Sequence, residues 1–232
     1  MEEFFERLSV GELSNLALSN EGSGTIVEDK RPQIISFTNE GLRKIFGRLP
    51  LKEGEVIIKQ EDHITDYILH SDYAQTNINA PINRSLYIQD SDAEPFTNDV
   101  LRILSVHKEC GYEFTLNDKG TCHSLFTPKN DHLQIPNPEE GELLSIIYQA
   151  KHERLTAGNL QQEIVMPSAL ETALQAYVAY KVYSAMNGQE ATMKASEHLA
   201  NYEANILEVI GADSAGLSTI HTPEKFEDRG WV

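Results

Sequence analysis

The chain has 232 residues, 40% hydrophobic and 24% charged, with 36 acidic against 19 basic side chains and a formal charge of −17. That length fits one large or two small globular domains with a real core, and so acidic a balance excludes tight nucleic-acid binding while still letting DNA slide past. No run reaches the roughly 18 apolar residues of a membrane span, "MEEFFERLS" lacks the basic start of a secretory signal, and two cysteines (Cys110, Cys122) predict a reduced, cytosolic protein.

The first predicted element is a short helix in "RLSVGELSNLALS". Ser9 and Glu12 have capping-box spacing, and Leu13, Leu16 and Ala17 share a face. "NEGSGT" is a flexible break. "PQIISFTNEGLRKIFGRL" predicts a helix starting after Pro32, with Ile34, Phe37, Leu42, Ile45 and Leu49 on one stripe and Pro50 as its stop. Gly41 and Gly47 work against it, since each costs roughly 1 kcal/mol relative to alanine in a helix interior.

Between residues 51 and 149 the texture changes to short β-branched or aromatic runs: "EVIIKQ", "DYILH", "RSLYIQ", "VLRILSVHK", "YEFTLN", "HLQIP" and "LLSIIYQA". Turn-rich stretches such as "NDKG", "PKND" and "PNPEEG" separate them, which predicts a small antiparallel β domain. The last third is helical again. "PSALETALQAYVAYKVYSAMNG" starts at Pro167, stops at Asn187–Gly188, and aligns Leu170, Leu174, Tyr177, Val178, Val182 and Met186. Ala169, Ala173, Ala176 and Ala185 leave room for a close neighbour. "EATMKASEHLANYEANILEVIG" follows with Ala195, Leu199, Tyr202, Ile206 and Val209 in register, so the two helices form an antiparallel hairpin that the N-terminal helices complete. A Gly/Ser/Pro-containing extension ends in "KFEDRGWV".

Candidate chemistry is sparse. His107, Cys110, Cys122 and His123 are zinc-type ligands, but on a strand Cys122 and His123 would point to opposite faces, and hairpin side chains are the simpler reading. "DSDAEPFTND" starts like a calcium loop with Asp90, Asp92 and Glu94, yet Pro95 stands where a glycine is needed and Leu101 where a glutamate is, so an exposed acidic loop is expected. Gly22 to Gly24 follow no strand and precede no Gly-Lys-Ser/Thr, which makes them a linker. No serine sits in a nucleophile elbow; His198 reads as a half-buried helix residue, and Glu139–Glu140 as solvated charge.

The order of phrases says more than any one motif. "FFERLSVGELSNL", "TNEGLRKIFGRLPLKEGEVIIKQ", "DVLRILSVHKECGYEFTLND", "LLSIIYQAKH", "PSALETALQAYVAYKVYSAMNG" and "KFEDRGWV", spread from Phe4 to Val232, together resemble the head-to-tail adaptor (neck connector) proteins of tailed bacteriophages, especially short-tailed ones. The resemblance implies an α+β fold: a helical bundle from N- and C-terminal helices, an inserted antiparallel β domain and an extended C-terminal arm. It implies a structural virion protein with no enzymatic activity and no cofactor, working in the neck after assembly in the host cytoplasm. It implies a homo-oligomeric ring, commonly of twelve copies, below the portal protein and above a tail or nozzle protein, with DNA passing through the lumen.

The expected domains are residues 1–50 and 165–211 for the bundle, 51–150 for the β domain and 212–232 for the arm. Adaptor C-terminal segments commonly extend to clasp the portal. Phe226, Arg229, Gly230, Trp231 and Val232, behind a flexible lead at Gly216 to Thr222, are the expected contacts to the portal or a neighbouring subunit. The alternative for Trp231 is that it caps its own domain. Alternative functions are another neck, tail-completion or tail-tube protein, or a small soluble enzyme built on the β domain.

Overall fold

The structure, a computed structural model, describes residues 1–14, 16 and 26–212. It is α+β, with four α-helices and seven strands among the described residues. They form two compact units: Met1–Leu51 with residues 152–212, and Lys52–Lys151.

The first unit is helical. Helix α1 (Glu2–Val10) buries Phe4, Phe5 and Leu8, one face of two turns, and carries Glu2 and Glu3 in its first turn, where the helix dipole favours negative charge. This corrects the expected start at Ser9. Ser9 lies in the last turn and donates its hydroxyl to the Glu6 carbonyl (2.9 Å), because the upstream aromatic pair already supplies the buried stripe. Leu13 is buried and Leu16 half-buried, while Ala17 lies outside the described residues.

Helix α2 (Arg31–Arg48) has Pro32 in its first turn and buries Ile34, Ile35, Leu42, Ile45 and Phe46. Leu49 is already extended, the conformation that a following proline imposes. Helix α3 (Glu171–Ser184) is entered through a 3-10 turn at Ser168–Leu170 that Pro167 precedes. It is buried on most of its circumference, through Ala173, Leu174, Ala176, Tyr177, Val178, Ala179, Val182 and Tyr183, and so forms the axis of the unit, with α2 and α4 packed on it. Met186 is exposed, against the stripe expected of it, and Ala169 and Ala185, expected to face a close neighbour, are exposed too.

Gly188, at φ +127°, does not end α3, as Asn187–Gly188 was expected to. It precedes helix α4 (Gln189–Gly211), where only glycine adopts that backbone without strain. Helix α4 buries Ala195, His198, Tyr202, Ile206 and Val209. The face is rotated slightly from expectation, with His198 inside and Leu199 half-buried.

The second unit holds two antiparallel sheets. The larger has strand order β3-β1-β7-β4, with β1 at Glu53–Lys59, β3 at Ile88–Gln89, β4 at Val100–Lys108 and β7 at Leu143–Ala150. The smaller has order β2-β6-β5, with β2 at Asp66–Ile68, β5 at Phe126–Lys129 and β6 at His132–Gln134. Strand β7 is buried at every residue from Leu144 to Ala150, as its unbroken apolar run and central place require. Val56, Ile58, Tyr67, Tyr87, Val106, Leu133, Leu144 and Ile146 make one core.

The strand expected at "YEFTLN" does not form. Gly111 (φ +80°) turns the chain back after β4, but only single bridges follow, at His107–Glu113 and Leu116–Leu125. Strand β5 occupies part of the expected "PKND" turn instead. Its Pro128 is tolerated because β5 is an edge strand.

Candidate interaction surfaces

The helices of the first unit are unequal in charge. Helix α2 carries Arg31, Arg43, Lys44 and Arg48 against Glu40 alone, whereas α4 carries Glu190, Glu197, Glu203 and Glu208 against Lys194 alone. The two signs meet at Arg48 and Glu203, a forked pair with contacts of 2.6 and 2.9 Å. The guanidinium holds the Glu203 carboxyl below its ordinary range and lies over the Tyr202 ring.

A second polar link joins α2 to α3. The Tyr177 hydroxyl donates to Glu40 (2.7 Å), and Lys181 Nζ sits 3.0 Å from the other carboxylate oxygen. The tyrosine bond first, then Lys181, keep Glu40 ionised below the usual range, while burial and the nearby carboxylate push Tyr177 up. His198 stacks on Tyr183 (5.3 Å between centroids) and meets Glu12 at 3.0 Å, so it is a paired side chain of the helical core. On the outer side of α4, Met193 (67% exposed), Leu207 (66%) and Ile210 are left uncovered within the chain.

In the second unit a cleft of about 520 Å³ opens beside the end of β4. Buried Leu125, Ile135 and Leu144 and half-buried Phe114 line it, together with exposed Tyr112, Cys122 and His123. Lys108 is tied to Glu142 (2.5 Å) and sits 3.8 Å from Glu139, and these partners, Glu142 first, hold its ammonium above the ordinary lysine value. A lysine nucleophile needs the opposite shift.

Cys122 and His123 lie in a turn and both line this cleft, which corrects the expectation that a strand would separate them. His107 is buried beside Ser105 (2.9 Å), and both cysteines are exposed free thiols. Among the described residues no group of three or more His, Cys, Asp or Glu side chains is placed to hold a metal ion. Asp90 of the calcium-like stretch accepts from Thr76 N–H (3.0 Å), Thr76 Oγ1 (2.5 Å) and Phe96 N–H (3.0 Å). Burial alone would raise its pKa, but these bonds outweigh it and the carboxyl is held low. Glu140 accepts from the Asp62 N–H, so it is more than solvated charge.

The residues expected to bind a partner, Phe226, Arg229, Gly230, Trp231 and Val232, lie outside the described residues, as do the lead before them and Gly22 to Gly24. No described helix is long and apolar enough to cross a membrane. A search of curated proteins finds no match. The family model described as SU10 adaptor protein matches residues 9–223, from the end of α1 through both units and into the C-terminal segment. A match of that extent takes in α2, α3, α4 and all seven strands, and the chain therefore belongs to the SU10 adaptor protein family, phage adaptors that serve as structural components of the virion.

Proposed function

We propose that this chain is the head-to-tail adaptor of a tailed phage, forming a ring below the portal protein that joins the DNA-filled head to the tail or nozzle protein. The observation that carries the reading is the family match over residues 9–223, on an architecture whose helical unit draws on segments before and after the β unit. In this reading residues 1–50 and 165–211 are the bundle, 51–150 the inserted β domain and 212–232 the arm. The role is mechanical, with neither catalysis nor a cofactor. A formal charge of −17 suits a lumen through which DNA slides, and free protein should show no measurable affinity for duplex DNA at physiological salt. Twelve copies is the stoichiometry implied by the family resemblance.

Phe226, Arg229, Gly230, Trp231 and Val232 are the contacts to the portal or to a neighbouring subunit in this reading. Two aromatics and an arginine are the residue types that concentrate interface energy. Electron microscopy of the protein mixed with purified portal is the direct test: a ring on the portal supports the reading, and a protein that never joins the portal refutes it. Trp231→Ala should weaken docking by roughly 2 kcal/mol and leave the melting temperature of the free chain nearly unchanged. Trp231 is the only tryptophan, so its emission should move to the blue and become protected from quencher on assembly. Unfolding of the free chain by Trp231→Ala would show instead that this residue belongs to the chain's own core.

A further inference from the structure

The segment joining β2 to β3 presents two isoleucines to solvent, Ile78 at 94% and Ile82 at 102% exposed. No other large hydrophobic side chain among the described residues is so bare. Residues 73–83 contain no charged side chain, an unusual stretch in a chain with 36 acids. The loop is nonetheless well held. Thr76 is bonded twice to Asp90, the Asn77 side chain accepts from Asn79 N–H, and Ala80 N–H returns to the Asn77 carbonyl. At the far side Arg84 pairs with Asp72 (3.0 Å) over the Tyr73 ring, and Ser85 donates to Glu61 (2.7 Å). An apolar pair on a braced, neutral loop is preorganised for contact, since little freedom is left to lose on docking.

The complementary feature is the cleft beside β4. Its volume of about 520 Å³ is in the range that encloses small apolar groups, and Phe114, Leu125, Ile135 and Leu144 supply the apolar lining. Its lysine, Lys108, faces two carboxylates, Glu142 and Glu139. The loop leads into edge strand β3, whereas the cleft is lined at the end of the sheet by Lys108 of β4, Leu144 of β7 and Gln60 just after β1. A knob and a hole at different places on one chain make a head-to-tail contact, the kind that closes into a ring when the rotation allows.

We infer that Ile78 and Ile82 of one copy of this chain dock into the Phe114–Leu125–Ile135–Leu144 cleft of the next copy. The occupant is a second copy, because knob and hole are carried by the same chain, and an uncharged loop lets copies each charged −17 meet there without added repulsion. The inference rests on the ring proposed above and names one of its contacts.

Cys122 at the cleft gives the test a reporter. Full-length protein carrying Ile82→Cys and Cys110→Ser is assembled on purified portal and treated with a short bis-maleimide. The expected product is a ladder of covalent dimers, trimers and larger species on a denaturing gel, abolished by Cys122→Ser. The double variant Ile78→Asp, Ile82→Asp should keep the wild-type melting temperature and need a roughly tenfold higher concentration to form the ring. A wild-type ring with no ladder, and with the aspartate variant assembling normally, overturns this contact while leaving the ring reading intact. Cross-linking that stops at dimers, or that closes within one chain, also overturns it. Wild-type protein that forms no ring on the portal overturns the ring reading and this contact together.

Discussion

Two glycines of α2 allow a test in which the same substitution should have opposite signs. A Cβ built on Gly41 would sit 2.7 Å from Leu174 Cδ1 and 2.9 Å from Tyr177 Cδ1, well inside the roughly 3.5–4.0 Å of ordinary carbon contacts. The leucine methyl can rotate away. The tyrosine ring cannot do so cheaply, because its hydroxyl is bonded to Glu40 and its face meets Tyr202 edge-on at 5.2 Å. Overpacking of this kind costs about 1–3 kcal/mol, against a helix-propensity gain of about 1 kcal/mol for Gly→Ala, so Gly41→Ala should destabilise the chain by up to roughly 2 kcal/mol. Gly47 is exposed and has no neighbouring heavy atom within 4 Å of its would-be Cβ, so Gly47→Ala keeps the propensity gain and should stabilise by up to about 1 kcal/mol. Urea denaturation of the full chain, followed by far-ultraviolet circular dichroism, measures both. Equal shifts in the same direction would mean that propensity alone governs α2 and that the close approach of α2 to α3 is wrong.

Two tyrosines make a similar pair. Tyr177→Phe removes the bond to Glu40 and should cost about 1 kcal/mol, whereas Tyr202 has a buried hydroxyl with no hydrogen-bond partner among the described residues, so Tyr202→Phe should be neutral or slightly stabilising. Equal losses in the two variants would refute that assignment. Alkali should also unfold the chain. Burial, first of all, raises Tyr87, Tyr148 and Tyr177 above the ordinary tyrosine value near 10, so the folded state keeps protons that the unfolded state releases. Their contribution is fully present below about pH 10 and is lost as pH rises beyond it, so the last part of the tyrosinate absorbance should appear together with unfolding, followed by far-ultraviolet circular dichroism. Complete tyrosine titration near pH 10 with the fold intact would contradict this.

What the sequence made legible follows from where periodicity is strong. Helix α2 was readable from its stripe and from Pro50, and β7 from eight residues, "LLSIIYQA", that no half-exposed strand would carry. The errors have physical causes. At the N-terminus the Ser9–Glu12 capping signal competed with the Phe4–Phe5–Leu8 face, and burial of two aromatic rings outweighed a cap. In α4 the exchange of Leu199 for His198 is a small rotation, favoured by the flat stack on Tyr183 and the contact with Glu12, neither of which a hydropathy pattern contains. Pro128 disguised β5 as a turn because proline forbids only the inner side of a ladder, and the sequence does not say which strands lie at an edge.

The surfaces were harder to read than the core for a related reason. In "NINAPINR" the isoleucines sit among turn formers, with neither the 3.6 nor the 2.0 period that would reveal an inward face. An apolar residue without period can be a buried anchor or an exposed knob, and only the bracing decides. Asp90, Asp72 and Glu61 take up the Thr76, Arg84 and Ser85 groups at the two ends of the loop, and Ile78 and Ile82 between them are exposed. Of these three, Asp90 looked in sequence like part of a cation loop. Their work is to fix a neutral apolar tip on a strongly acidic protein, where a partner of the same charge could still approach.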